Sequence, residues 1–437
     1  MSDNVHVLHP QSVPIAGFLR VGHTGHRKLE ALLAEGRFPY KRVVFDAAHI
    51  SKQKDLVASL RNAGCEVILD PNFAEMATDG RYQSAVGKLP WANPERPWVV
   101  SDFSVNRNLD VAKQIADFAV EQGVNVVLAP TLVSEHSDNA LHRVNLEMCA
   151  ALRRELDSSG GSNIAIDYQM ITTNALLKDV NGRSSLVAGL RDIPFENLWL
   201  RISGFGANAS PLGTRRMIEA VRELHDLEIP LVADYVGGFS GLAMGAYGAV
   251  SGISHGIGQH EQFNFSSWKA APKEPSEGDG RGFGSAKRIY LHELDRSFTE
   301  NQLTALFAAR GCRSRFGCHE KGCCQDGVGD MVENHKAHFI NQRRKQINEL
   351  SSVPALRREE HFIMKMIDPA VRSARYGANV KISDEKTAKA VKKARDRLIC
   401  LRDTLVDLHD TNSAASRSKS LSFRGSGRPV SAASGWK

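Results

Sequence analysis

The feature that most constrains this chain is a repeat of short apolar runs separated by amphipathic stretches. The runs are Val43 to Phe45, Glu66 to Leu69, Trp98 to Val100, Asn125 to Leu128, Ile164 to Ile166, Leu198 to Ile202, Leu231 to Ala233 and Val250 to Ser254. Each is the length of a buried strand. Between them, Lys54 to Asn62, Leu109 to Glu121, Ala140 to Leu156, Gly213 to Leu227 and Gly241 to Ala249 carry apolar residues at three- and four-residue spacing, as amphipathic helices do. Eight strands recurring about every 30 residues predict an α/β chain folded as a (β/α)8 TIM barrel. An open doubly wound sheet would place a Gly-rich phosphate fingerprint after its first strand, and none follows Phe45.

A barrel of about 250 residues leaves much of a 437-residue chain over. The expected division is a barrel over residues 1–310, a Cys/His segment over 311–350, helices over 351–410 and a basic tail over 411–437. Two insertions interrupt the barrel. One spans 71–97 and contains Leu89-Pro90-Trp91; the other spans 269–284, is rich in Gly, Pro, Lys and Glu, and reads as a mobile loop. Among the C-terminal helices, Ser383 is the expected N-cap of a helix striped with Val391, Ala394, Leu398, Leu401, Leu405 and Leu408. The stripe fits a neighbour in the chain or across a dimer. The outer face carries Lys386, Lys389, Lys392, Lys393, Arg395 and Arg397. The Ser/Gly/Ala-rich tail carries Arg417, Lys419, Arg424 and Arg428 without an acidic residue after Ser413, and is expected to be disordered.

No apolar run reaches the length of a membrane span, and Met1 to Pro14 has neither the basic start nor the apolar core of a signal peptide, so a cytoplasmic protein is expected. The formal net charge of +7 suits an anionic partner.

Barrel active sites gather at the carboxyl ends of the strands, where this sequence repeatedly places aspartate. Asp46, Asp70, Asp102, Asp167 and Asp234 end or follow runs, joined by Arg201 and by His255 after the last run. Crowded carboxylates shift one another's pKa and suit acid/base or covalent glycosyl chemistry; a single aspartate after a strand can equally cap a helix. Asp70, followed by Pro71-Asn72, is a turn signal and is set aside. Gly237 and Gly238 open a Gly-rich stretch whose amides could approach a base or phosphate, or whose small size could serve helix packing.

Four of the seven cysteines crowd between Cys312 and Cys324, with His335 and His338 following. The expected metal ligands are Cys318, Cys323, Cys324 and His338, with Cys312 and His335 as substitutes, and four such ligands make a structural site. Cys65, Cys149 and Cys400 read as buried apolar residues.

A barrel followed by a Cys-rich knuckle with a distal His resembles the tRNA-guanine transglycosylase family, including relatives that place 7-deazaguanines in DNA. Gly241-Leu242-Ala243-Met244-Gly245 is similar to that family's Gly-Leu-Ala-Val-Gly loop, and Cys318 to His338 to its zinc segment. The chain departs from the family in spreading its cysteines apart and in lacking an Asp over Ser251 to Gly256. The resemblance implies a structural Zn2+ and exchange of guanine for a 7-deazaguanine in tRNA or DNA through an Asp nucleophile. Strand-end placement would make Asp234 the nucleophile, Asp46 the acid/base partner, Asp102 and Asp167 binders of the base edge, and Arg201 a phosphate neighbour. Gly237, Gly238 and His255 would complete the substrate site, and the basic helix and tail would track phosphates. The competing expectations are a hydrolase or lyase acting on a small metabolite, with a carboxylate-held divalent ion, and a non-catalytic nucleic-acid-binding scaffold.

Overall fold

The computed structural model describes residues 14–258, 261–270, 287–411 and 417–425. Eight parallel strands close into a barrel in chain order. They are β1 (Ala16–Arg20), β2 (Arg42–Asp46), β3 (Glu66–Asp70), β4 (Val126–Leu128), β5 (Ala165–Thr173), β6 (Leu198–Ser203), β7 (Leu231–Asp234) and β8 (Gly252–His255). β1 pairs with β8, with Phe18 opposite Ser254, which closes the cylinder. The (β/α)8 expectation holds, with one exchange of strands.

The first strand is Ala16–Arg20, which the sequence reading passed over, and Trp98 to Val100 is not a strand. Trp98 is buried and donates its indole N–H to the Trp91 carbonyl, whereas Val99 is 46% exposed. The chain then turns through a short 3-10 segment, Val100–Asp102. The first insertion therefore runs from the end of β3 to the helix Val105–Gln122. Residues 271–284 of the second insertion lie outside the described residues.

Alternation along the strands fills the barrel. Ala16, Phe18, Val44, Ile68, Val126, Leu128, Ala165, Trp199 and Val232 form an apolar plug inside it, while the outward residues join the larger core beneath the helices. A two-stranded sheet, β9 (Arg288–Leu291) with β10 (Arg296–Thr299), follows the barrel. The striped helix Glu385–Thr411 buries Val391, Ala394, Leu398, Leu401, Leu405 and Leu408. It packs on the helices Pro211–Arg222 and Asp368–Asn379 of the same chain, so the stripe finds its partner internally. The N-cap side chain is that of Asp384, which accepts from the Thr387 amide, one residue later than expected.

The tail expectation needs a larger correction. Arg417 to Gly425 lies across the amino ends of the barrel strands. The Ser418 amide donates to the Gly248 carbonyl (2.8 Å), its hydroxyl accepts from the Leu231 amide (3.0 Å), and Ser251 bonds the Lys419 carbonyl. Leu421 packs on the apolar plug. The Arg424 amide donates to Glu66 (2.9 Å), and its guanidinium pairs with Glu196 and lies 3.6 Å from Asp167. Arg417 and Lys419 pair with Glu359 and Glu228. These three cations thus seal one end of the barrel. Arg428 lies outside the described residues.

Candidate active site

Just below the open, carboxyl-end mouth, four charged side chains from four strands form a closed quartet. Arg20 on β1 forks onto Asp234 on β7 through Nε and Nη2 (both 2.8 Å) and reaches Asp70 on β3 through Nη1 (2.9 Å). Arg201 on β6 bonds the same two carboxylates at 2.9 and 2.6 Å. All four are buried. Burial works against each charge, but the two guanidiniums outweigh it and hold both carboxyls below their ordinary range. Charge-assisted, bidentate pairing is what makes such burial tolerable.

Tyr235 forms a lid on the quartet. Its ring lies 4.6 Å from the Arg20 guanidinium carbon and 4.8 Å from that of Arg201. The residue adopts φ +57°, a left-handed conformation that costs a non-glycine residue of order 1–3 kcal/mol and that clusters at functional sites.

Above Tyr235 opens a cavity of about 780 Å³. Its floor is Arg20 and Tyr235, and Phe263 and Trp268 form an aromatic side, their ring centroids 4.9 Å apart. Asp46 and Glu75 supply its carboxylates, and Arg81, Lys287, Arg288 and Lys336 supply cations; the imidazoles of His23, His49 and His335 also line it. Asp46 ends β2 and makes no side-chain cap to the helix that follows. Its carboxylate lies in the cavity, 3.5 Å from Arg20. Glu75 stands in the short helix Phe73–Met76, where every neighbour in the helix is buried. Burial first, and then the Asp46 and Asp70 carboxylates, push Glu75 up to about 7. The cavity therefore holds two carboxyl groups in different surroundings: one beside a fixed cation, the other half protonated near neutrality.

The structure gathers only part of the sequence-derived set here. Asp46 lines the cavity. Asp234 lies beneath it, fully buried: Oδ1 accepts from Arg20 and from the Tyr235 amide, and Oδ2 from Arg20 and Arg201. Those bonds deny it to a substrate, so the nucleophile expectation fails there. Arg201 faces the quartet rather than a phosphate, and Asp70, set aside as a turn former, is integral to it.

Asp102 is not at the mouth at all. It pairs with Arg96 and accepts from the Val99 amide, a local cap that follows from the missing strand. Asp167 is only the third residue of β5, near the sealed end. It accepts from Asn197 and from Trp199, both at 2.8 Å, and burial lifts it to about 6. His255 points out of the barrel, because its neighbour Ser254 takes the inward position opposite Asp234. Its ring bonds the Tyr40 hydroxyl (2.7 Å), and burial, then Arg343, holds it neutral by pushing it down to about 3.

Gly237 and Gly238 face no cavity. A Cβ on Gly237 would strike Glu261, and one on Gly238 (φ +62°) would strike Asp295. Those two carboxylates already accept from the Gly238 and Phe239 amides. The chain thus fills this helix N-terminus with its own acids, and the Gly-rich stretch serves packing. Arg20, Glu75 and Tyr235 were missed. Only Glu75 carried a sequence signal, as a lone carboxylate within Phe73-Ala74-Glu75-Met76.

A second centre lies behind the cavity wall. The donor atoms of Cys318, Cys323, Cys324 and His338 are buried and fall within 4.8 Å of one another. The two sulfurs of Cys323 and Cys324 are 3.7 Å apart, and each lies 3.5 and 3.4 Å, respectively, from His338 Nδ1. Those spacings match a tetrahedron with metal–sulfur bonds of about 2.3 Å and a metal–nitrogen bond of about 2.0 Å, whose edges are about 3.8 and 3.5 Å. His338 Nε2 is held by the Tyr290 carbonyl (2.9 Å), the outer contact that fixes a ligating imidazole. The residues therefore fit a metal ion with no open position. Cys312 is buried apart from the cluster and His335 lines the cavity instead. Cys65 and Cys149 are buried as expected, but Cys400 is exposed. Among the described residues no helix is long and apolar enough to cross a membrane.

No family model and no curated protein matches this chain. Among solved structures the chain is similar to the Penicillium canescens endo-1,4-beta-xylanase XylE, at 10% identity over 56% of this chain and 83% of that one, with a TM-score of 0.36. It is also similar to KGPDC from Streptococcus mutans, at 11% identity over 59% and 94% with a TM-score of 0.31. A GH26 beta-mannanase from Bacteroides ovatus matches at 11% over 61% and 86%, TM-score 0.36. Likenesses this distant carry no argument, and the barrel rests on its own strand pairing.

Proposed function

We propose that the protein is a glycosyl-transfer enzyme that exchanges a base at a nucleoside of DNA or tRNA, with Asp46 as nucleophile and Glu75 as acid and base. The observation that carries this reading is the pair of unlike carboxyl groups in one aromatic-sided cavity. Asp46 Oδ attacks C1′ as the C1′–N bond breaks, and protonated Glu75 gives its proton to the leaving base. The incoming base then loses a proton to Glu75 and attacks C1′, and Asp46 is released. No redox cofactor is needed. Tyr235, Phe263 and Trp268 supply ring faces for a planar base, and Arg20, fixed by Asp234 and Asp70, stabilises the Asp46 carboxylate before and after attack. The family resemblance adds the specific exchange, guanine for a 7-deazaguanine.

Three thiolates with one imidazole are ligands that suit zinc, and a closed set of four makes the ion structural. That site would fix the helix His335–Ser352, whose first turn forms part of the cavity wall.

The test is to incubate the protein with labelled guanine or a labelled 7-deazaguanine and with tRNA or DNA. Label entering the nucleic acid, lost in Asp46→Asn and in Glu75→Gln, is the expected result. Incorporation by Asp46→Asn at the wild-type rate would overturn it.

A further inference from the structure

We propose that Lys287 and Arg288, at the start of β9, and Lys336, in the first turn of the helix His335–Ser352, form a phosphate subsite that holds a phosphate ester of the substrate beside Asp46 and Glu75. The proposal rests on the reading of the site just given, and names the substrate class for it.

Three observations converge. All three cations line the same cavity as the two carboxyl groups. Among the described residues none of the three has an ion pair, nor has the cavity's Arg81, which lies over the Trp268 ring, whereas Arg20 on the floor is held by Asp70 and Asp234. Cations clustered on one side of a concave site focus their field on an anionic ligand. The third observation is the helix itself. It is eighteen residues long and has no acidic residue in its first turn, and its N-cap residue makes no side-chain cap. The Asn334 oxygen accepts from Lys28 Nζ instead (2.7 Å). The partial positive charge of that end therefore adds to the lysines, the arrangement that binds phosphate at helix N-termini.

The contrast with the helix Gly238–Ala246 is informative. There two carboxylates of the chain occupy the N-terminus. Here that place faces a cavity whose size, about 780 Å³, falls within the roughly 300–1,000 Å³ of small-molecule sites. The geometry also relocates the nucleic-acid surface. The tail cations expected to track phosphates are paired at the sealed end.

The phosphate could belong to a nucleic-acid strand or to a free phosphorylated metabolite, and titration separates these sources. Dissociation constants of inorganic phosphate, a 5′-mononucleotide and a single-stranded oligonucleotide are measured on the full chain with its metal bound. The proteins are wild type, Glu66→Gln at the sealed end and the triple variant Lys287→Ala/Arg288→Ala/Lys336→Ala, with unfolding temperature and zinc content as controls. All three ligands should bind wild type and Glu66→Gln alike, compete with one another, and bind the triple variant about tenfold or more weakly, since several charge-assisted hydrogen bonds are lost. Tighter binding of the oligonucleotide, with a salt slope that falls by about one per cation removed, supports a nucleic-acid phosphate. Equal affinity for the mononucleotide supports the subsite with a metabolite phosphate. Should the triple variant keep wild-type fold and wild-type phosphate affinity, or should wild type bind none of the three, the subsite is overturned. Wild type that binds phosphate but exchanges no base would instead count against the base-exchange reading alone. If the triple variant does not fold, the single variant Lys287→Glu, on an exposed side chain, carries the same test.

Discussion

The two ends of this barrel contain the same ingredients and treat them oppositely. At the amino end, Glu66, Asp167 and Glu196 are met by Arg424 of the chain's own C-terminal segment, and Leu421 covers the apolar plug. At the carboxyl end, Asp46 and Glu75 share an open cavity with Arg81, Lys287, Arg288 and Lys336, four cations that have no ion pair among the described residues. The quartet of Arg20, Asp70, Arg201 and Asp234 lies between them and balances its charges internally. The difference teaches that buried carboxylates alone do not mark an active site. What marks one is the charge the fold leaves for a ligand to complete.

Each element of that comparison can be broken separately. Metal removal should have the largest effect, because binding energy at a closed Cys/His site is folding energy, of order 10 kcal/mol in small zinc modules. Chelation is expected to raise hydrogen exchange over 311–350 and along the first turns of the helix His335–Ser352, while exchange across 417–425 stays unchanged. Equal loosening at both ends would dissolve the distinction. Next, Asp234→Ala leaves two guanidiniums facing one carboxylate, and is expected to cost about 3–5 kcal/mol in chemical denaturation, the range for a broken buried ion pair. A loss below 1 kcal/mol would show that the quartet is not held as described.

A smaller effect is expected at the sealed end. Arg424→Ala removes the cation from Asp167 and Glu66 but leaves Asp167 its bonds from Trp199 and Asn197, so about 1–3 kcal/mol is expected, with ligand affinity at the mouth unchanged. Asp167 also makes this variant sensitive to pH. Its carboxyl is raised to about 6, so its own contribution to stability is present in acid and lost as pH rises through 6. Without Arg424 that loss should deepen, which denaturation at pH 5 and pH 8 will reveal. The smallest effect expected is kinetic. Base release needs protonated Glu75, so its rate should fall as pH rises through about 7, and Glu75→Gln should lack that limb.

The architecture was legible from periodicity because parallel strands buried on both faces must be apolar. The count of eight survived although one member was wrong. Ala16–Arg20 carries Ala and Gly where β-branched residues usually announce a strand, while Trp98-Val99-Val100 has the composition of a strand but follows Pro97 and lies in an insertion. The Cys318, Cys323, Cys324 and His338 cluster was legible because its members are local in sequence. The active cavity was only partly so. Asp46 is a strand-end residue, but Glu75 belongs to a helix within an insertion, and the direction of His255 depends on which residues of β8 face inward. The sealed end was illegible, since Arg424 meets Glu66 across 358 positions and its segment is low in complexity.

The most direct measurement is to trap the covalent intermediate. The protein is incubated with a guanosine-containing tRNA or oligodeoxynucleotide, denatured and digested, and the peptide carrying the nucleotide is identified by mass. The adduct is expected on Asp46, absent from Asp46→Ala and retained by Glu66→Gln at the other end. An adduct on Asp234, or one formed undiminished by Asp46→Ala, would contradict the assignment of chemistry to the open mouth.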